Sequence, residues 1–420
     1  MPPLPHLPQA PKKAHQMVNE TKAPVSILIP DWRGIGGIAP QIKRPSPPAP
    51  KFGLFAAERL KTGPVRPILE GTLPQERDMT QSDTTNRRIV LAERPQGLPD
   101  DNTLRLEQAD IPTAGKGEML LRTVYLSLDP YMRGRMNDAK SYAEPVKLGE
   151  VMTGQVVAQV VTSDVKGFAE GDYVLAGSGW QDYAVSDGTQ VLNLGSDPDH
   201  PSWALGIMGM PGYTAYAGLL KIGEPKEGET VVVAAASGPV GATVGQIAKL
   251  KGCRVVGVAG GPEKCAHVVD NLGFDACIDH KADDFADQLK QACPDGIDVY
   301  FENVGGKVLY GVLPLLNPFA RMPVCGMVAW YNLPGLPDAP DMGPVIMGTI
   351  LRMKVKVQGF IIFDSFGPDT YKEFARDMGQ WLKDGKVKYK EQVVEGLENA
   401  PKALNDLLEG RSFGKMVVKV

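Results

Sequence analysis

Ser237-Gly238-Pro239-Val240-Gly241 sets bare main chain where side chains would otherwise stand. Unpaired N–H groups at such a turn, at the positive end of a helix dipole, hold a diphosphate. Ala236 replaces the first glycine of the GxGxxG spacing, so these residues alone also fit an ordinary glycine turn of an α/β protein. A second chemical position is Ala259-Gly260-Gly261, where no carboxylate follows the strand to accept a ribose hydroxyl. Lys264 stands on the next helical turn, where its ammonium can meet a 2′-phosphate. This predicts NADPH. Glu263 keeps NADH open, and a solvated lysine is the plain alternative for Lys264. A third position is Asp129-Pro130-Tyr131-Met132-Arg133-Gly134-Arg135-Met136, a polar and aromatic run after a strand that reads as lining, not core.

The elements around these residues follow from periodicity. Val231–Val233 is a β-branched run of the kind buried in a parallel sheet, and Val240, Val244, Ile247 and Ala248 then fall on one helical face. Gly245 is expected to let that helix lie close to the strand. Strands are predicted at Arg254–Ala259, Ala276–Ile278, Ile297–Glu302 and Met322–Gly326, with helices at Glu263–Leu272 and Asp283–Ala292. Alternation at this spacing predicts a doubly wound parallel sheet. Before it, from Arg87 to about Gly206, short strands between turn residues predict a compact β domain. After it come a strand at Val355–Ile362, helices at Tyr371–Lys383 and Ala400–Leu408, and a final strand at Lys415–Val420. The start of this tail is expected against the parallel sheet and its end with the β domain.

Residues 1–78 differ in kind. They hold 15 of the 36 prolines, which oppose both helix and sheet, so disorder is expected. Two readings stand: a proline-rich tail, or a natural start at Met79, which leads directly into the strand-like Arg88–Ala92. This stretch carries 11 Lys and Arg against 6 Asp and Glu, leaving 34 against 43 for the rest. An acidic body argues against general nucleic-acid binding, and no apolar run reaches membrane-spanning length. The five cysteines contain no Cys-x-x-Cys pair and the five histidines show no zinc spacing, so a reducing, cytoplasmic setting and no metal are expected.

AASGPVGATVGQIAKLKGCRVVGVAGGPEK (235–264), DVYFENVGG (298–306), VCGMVAWYN (324–332) and LENAP (397–401) resemble the zinc-independent medium-chain dehydrogenase/reductases. Within them the chain is similar to the leukotriene hydroxydehydrogenase/prostaglandin reductase branch. TVYLSLDPYMRGRM (123–136), GSGWQDYAV (177–185) and GMPGYTAYAGLL (209–220) look most like its bacterial, curcumin-reducing members. The resemblance runs from about Arg87 to Val420. It implies a GroES-like β domain, over 87–206 plus 363–420, packed against a Rossmann domain over 207–362 with NADPH between them. The implied reaction is reduction of a C=C bond conjugated to a carbonyl.

By position, the resemblance implies that Ser237, Gly238, Pro239, Val240 and Gly241 hold the coenzyme's phosphates, Lys264 the 2′-phosphate, and Asn303 the coenzyme. Cys325, Gly326, Met327, Val328, Ala329, Trp330 and Tyr331 would run along the nicotinamide, and Phe360, Ile361 and Ile362 would face its ring. His280 stands where relatives often carry a tyrosine near the adenosine phosphate, and Ser412 where an asparagine contacts the coenzyme. Reduction places negative charge on the carbonyl oxygen, which a tyrosine hydroxyl and the ribose 2′-hydroxyl can stabilise. Tyr331 is the first candidate; the alternative is a tyrosine that only packs on the coenzyme. Tyr131 and Arg133 are expected to meet the substrate, with Tyr142 and Trp330 walling an apolar pocket. The expected partner is a small-molecule enone, with no nucleic acid and no membrane, and the family implies a homodimer. Quinone reduction and a coenzyme-binding protein without turnover are the rival functions.

Overall fold

The computed structural model describes residues 85–335 and 340–420, so the proline-rich stretch 1–78 and the start expected at Met79 lie outside the described residues. The chain is α/β. Six strands form one parallel sheet in the order Ala276–Asp279, Arg254–Ala259, Thr230–Ala234, Ile297–Phe301, Leu316–Val324, Lys356–Gly359. This is the Rossmann arrangement. The chain enters at Thr230–Ala234, winds outward to one edge, then returns to build the other half. Val231 to Val233 are fully buried because helices cover both faces. One face packs Val231, Val233 and Ile247 with Phe374 and Met378. The other packs Val232, Val256 and Tyr300 with Leu289 and Leu309.

The second body is a seven-stranded sheet in which Glu391–Glu395, Lys415–Lys419, Met119–Ser127, Val156–Ser163, Tyr173–Ala176 and Leu192–Gly195 follow one another, with Tyr183–Ser186 also on Met119–Ser127. The hairpin Thr85–Leu91 with Leu104–Asp110 adjoins it through bridges at Gln181 and Val151. Its core joins Ile89, Leu121, Met132 and Trp180 to Leu404 and Met416. The final strand therefore returns across the whole of the chain between Ser127 and Lys415 to pair antiparallel with Met119–Ser127.

The return expected at residue 363 comes later. The helix Pro368–Lys383 sends Phe374, Ala375 and Met378 into the core of the parallel sheet, and it is the strand from Glu391 that joins the β sheet. Gly245 also differs from expectation. A Cβ there would lie 1.8 Å from the Phe274 ring, so the close approach this glycine permits is to Phe274, while Val244, Ile247 and Ala248 pack the helix on the strand. Among the described residues no helix is long and apolar enough to cross a membrane.

Candidate active site

The strand Thr230–Ala234 ends in Ala235, a non-glycine residue at φ +53°, and the helix Pro239–Leu250 begins directly after Gly238. Pro239 is the first helical residue, where its missing N–H costs nothing and its fixed φ suits the helix. A Cβ at Gly241 would meet the Ala235 carbonyl oxygen at 2.3 Å, so only glycine lets the helix start this close to the turn. The crevice lies where the sheet order reverses, between Thr230–Ala234 and Ile297–Phe301. Asn303 spans it, with Nδ2 donating to the Ala234 carbonyl at 2.8 Å. Bare main chain at a helix N-terminus on the switch point fits a dinucleotide's diphosphate.

The β domain closes on the same turn. The Gly414 N–H donates to the Ser237 carbonyl at 3.1 Å, and Lys264 Nζ donates to the Gly410 carbonyl at 2.6 Å. Ser412 thus sits between the two residues that bond to Lys264 and to Ser237. Gln246 adds two bonds to Lys388, at 3.0 and 2.7 Å. Sequence reading missed these four residues, because none belongs to a local pattern.

Around Gly260 and Gly261 charges gather. A Cβ on Gly260 would lie 3.0 Å from His280 Nε2 and 3.4 Å from Lys281 Cε. Burial lowers the pKa of Lys264, and Lys281 lowers it further. Burial likewise lowers His280 below its ordinary 6.5, which favours the neutral ring at pH 7. One carboxylate does reach this tip from the neighbouring strand: Asp279 Oδ1 accepts the Gly261 and Lys281 N–H groups, each at 2.9 Å.

On the other side of the crevice, Glu302 organises the loop to Tyr331. It is 1% exposed, and its Oε1 accepts the Val304 N–H at 2.6 Å and the Gly305 N–H at 2.9 Å. Its own carbonyl takes the Cys325 and Gly326 N–H groups, while Val328 donates to Asn303 and Ala329 to Val304. Burial pushes the Cys325 thiol up to about 12. Replacing Glu302 with alanine would orphan two buried donors, so urea unfolding is expected to show a loss of roughly 3 kcal/mol. Burial raises the Glu302 carboxyl above its ordinary 4.5. The folded chain then holds this proton more tightly than the unfolded one, and the residue's contribution shrinks as pH rises through that folded value. Glu302→Gln is therefore expected to gain stability relative to the parent as pH is raised from about 4.5 to neutrality.

Tyr331 ends that loop. Its hydroxyl accepts the Met327 N–H at 3.4 Å and would lie 3.1 Å from a Cβ on Gly326. Burial raises its phenol pKa, and the nearby Cys325 and Tyr142 raise it further. Tyr131 is raised chiefly by burial, then by Asp129 and Tyr142. Tyr142, 52% exposed, thus stands within electrostatic reach of both other tyrosines. Phe360 and Ile362 bury their side chains, whereas Ile361 is partly exposed; the Phe360 N–H donates to the Val324 carbonyl, setting this segment beside the loop.

One expected substrate residue lies elsewhere. Arg133 is 2% exposed, and its guanidinium is spent on the Gly97 and Pro95 carbonyls and on Asn137 Oδ1, at 2.9, 3.1 and 2.6 Å. It clamps a loop instead of meeting substrate. The Trp330 ring covers Gly305, 3.4 Å from where a Cβ would be, so it packs on the coenzyme domain. Among the described residues no group of three or more His, Cys, Asp or Glu could hold a metal ion.

The sequence matches the family described as N-terminal domain of oxidoreductase over residues 87–194, and that described as zinc-binding dehydrogenase over 239–380. It is 59% identical over 342 residues to the NADPH-dependent curcumin reductase of Escherichia coli, covering 81% of this chain and 99% of that protein. It is 41% identical over 327 residues to bovine (Bos taurus) prostaglandin reductase 1, covering 77% and 95%. Among solved structures, CurA from Vibrio vulnificus in complex with NADPH superposes with a TM-score of 0.78 at 61% identity, covering 80% of this chain and 99% of that one. The chain belongs to the zinc-independent medium-chain dehydrogenase/reductases, in the branch that includes the prostaglandin reductases.

Proposed function

We propose that the protein reduces the C=C bond of α,β-unsaturated carbonyl compounds with NADPH. The observation that carries this reading is the likeness to a curcumin reductase over 99% of that protein's length, which includes the whole crevice described above. Ser237 to Gly241 hold the diphosphate, Lys264 with His280 the 2′-phosphate end, and Asn303, Cys325–Tyr331, Phe360–Ile362 and Ser412 the remainder of the coenzyme. Bound there, NADPH would supply a hydride for the conjugated C=C bond. Tyr331 meets the charge that develops on the carbonyl oxygen. Its hydroxyl accepts from Met327, which leaves its proton to donate, and its raised pKa keeps that proton in place at neutral pH. Tyr131 and Tyr142 line the substrate side.

The test is NADPH oxidation by the purified protein against enones, enals and quinones, with NADH as control. Turnover of enones with NADPH well above that of quinones is expected. Faster quinone turnover would transfer the protein to quinone reduction, and binding without oxidation across the panel would mark a non-catalytic protein.

The functional unit is a homodimer. Lys356–Gly359 is an edge strand with all four residues exposed, and Val345, Met347 and Leu351 of the neighbouring helix Gly343–Met353 are exposed beside it. An uncovered edge flanked by apolar side chains fits a second copy of the chain. Sedimentation is expected to give a dimer, and Val357→Lys with Leu351→Lys a monomer. The five cysteines are free thiols in the fold, which supports a cytoplasmic setting.

A further inference from the structure

The last strand touches both halves of the site. Just before it, the Gly414 N–H holds the Ser237 carbonyl of the diphosphate turn. One residue on, Lys415 is 1% exposed, and its Nζ donates to Asp129 Oδ1 at 2.7 Å and to the Leu128 carbonyl at 2.8 Å. Asp129 is 4% exposed and its second oxygen takes the Ser127 hydroxyl. Its carbonyl accepts the Met132 N–H at 3.1 Å, at the entry to the helix Tyr131–Arg135. The Lys415 stem runs beside Gly206, where a Cβ would lie 3.3 Å from Cγ. A full ion pair is therefore buried at the seam between the two domains.

Burying two charges costs desolvation that their attraction barely offsets, and apolar replacements of such pairs are often as stable. What an ion pair adds is directionality: Lys415 accepts only the arrangement in which Leu128 and Asp129 both face it. That arrangement fixes where Tyr131 stands relative to Gly414 and the Ser237 turn. We propose that Asp129 and Lys415 are positioning residues, which set the distance between the coenzyme's diphosphate turn and the substrate-side hydroxyl of Tyr131 without touching the reacting atoms. The inference rests on the enone-reductase reading and on Tyr131 facing the substrate.

The test is the paired replacement Asp129→Leu with Lys415→Met in the full chain, which removes both charges together and leaves neither unpaired. The double variant is expected to melt near the parent's Tm and to bind NADPH with a similar Kd. Its kcat/KM for an enone should fall about 10²-fold, the cost of a displacement of roughly 1 Å. A pair with only a structural role would shift Tm and leave the kinetic constants of the folded protein alone, so parent-like kcat and KM in a folded double variant overturn the proposal. Should the double variant not fold, Ser127→Ala loosens Asp129 while keeping the pair; a smaller loss of kcat/KM at unchanged NADPH Kd supports the proposal, and unchanged kinetics overturn it. The parent's own turnover of the enone tests the underlying reading separately, before any variant is compared.

Discussion

Tyr331→Phe is expected to lower kcat on an enone about 10²-fold while leaving the NADPH Kd near the parent's, the loss that follows removal of one preorganised donor to a developing oxyanion. The substitution keeps the ring and deletes only the hydroxyl. That hydroxyl takes the Met327 N–H at 3.4 Å, so one lone pair is occupied and the proton is left to donate. Its position is held by the loop and not by substrate. Glu302 anchors the Cys325 and Gly326 N–H groups, and Asn303 the Val328 N–H, so the group is in place before charge develops. Burial holds the phenol above its ordinary 10, so this group should cause no loss of rate below about pH 10. Steady-state turnover and a coenzyme fluorescence titration on the same preparation check both halves. Parent-like turnover would leave Tyr331 as a residue that packs and nothing more.

How much of this could be read in advance depended on whether a signal was local. The diphosphate turn was legible because a buried valine run, three small residues and an amphipathic helix succeed one another within 20 positions, and each has its own periodicity. The parallel sheet followed from the same alternation. Arg133 was misread because a short polar run does not say which way each residue faces. In the helix Tyr131–Arg135 successive side chains turn by about 100°, so Tyr131 and Arg133 point to different sides. The helix Met210–Ala217 gave no amphipathic stripe, being buried almost all round, and in Gly343–Met353 the partly buried stripe of Ile346, Ile350 and Met353 is blurred by apolar residues on the exposed side. The strand Leu316–Val324 holds Pro318 and Pro323, which hid its first half. Gly410, Gly414 and Asp279 reach Lys264, Ser237 and Gly261 only through contacts between distant segments or neighbouring strands, and no periodicity within the sequence announces such contacts.

Lys264→Ala is expected to weaken NADPH binding about 10-fold to 10²-fold and to leave NADH nearly unaffected, because a charged hydrogen bond to a phosphate is worth about 1.5–3 kcal/mol and NADH lacks the phosphate. The lysine sits on the first turn of the helix Pro262–Asp270, beside the bare Gly260–Gly261 tip. Lys281 and Lys307 are near enough to depress the neighbouring His280, and Lys281 depresses Lys264 itself. Cations crowded in this way disfavour one another until an anion enters. Asp279 offsets them only in part, since one of its oxygens is committed to two backbone N–H groups. Lys307→Ala is the control: each ammonium donates to one carbonyl, Lys264 to Gly410 at 2.6 Å and Lys307 to Ala282 at 3.1 Å, but Lys307 also lies 5.7 Å over the Phe285 ring, so it should matter less. Titrating both coenzymes at low and high salt separates the terms, since the NADPH advantage should narrow as ions screen the phosphate. Equal losses for NADPH and NADH would instead place Lys264 on the diphosphate that the two coenzymes share.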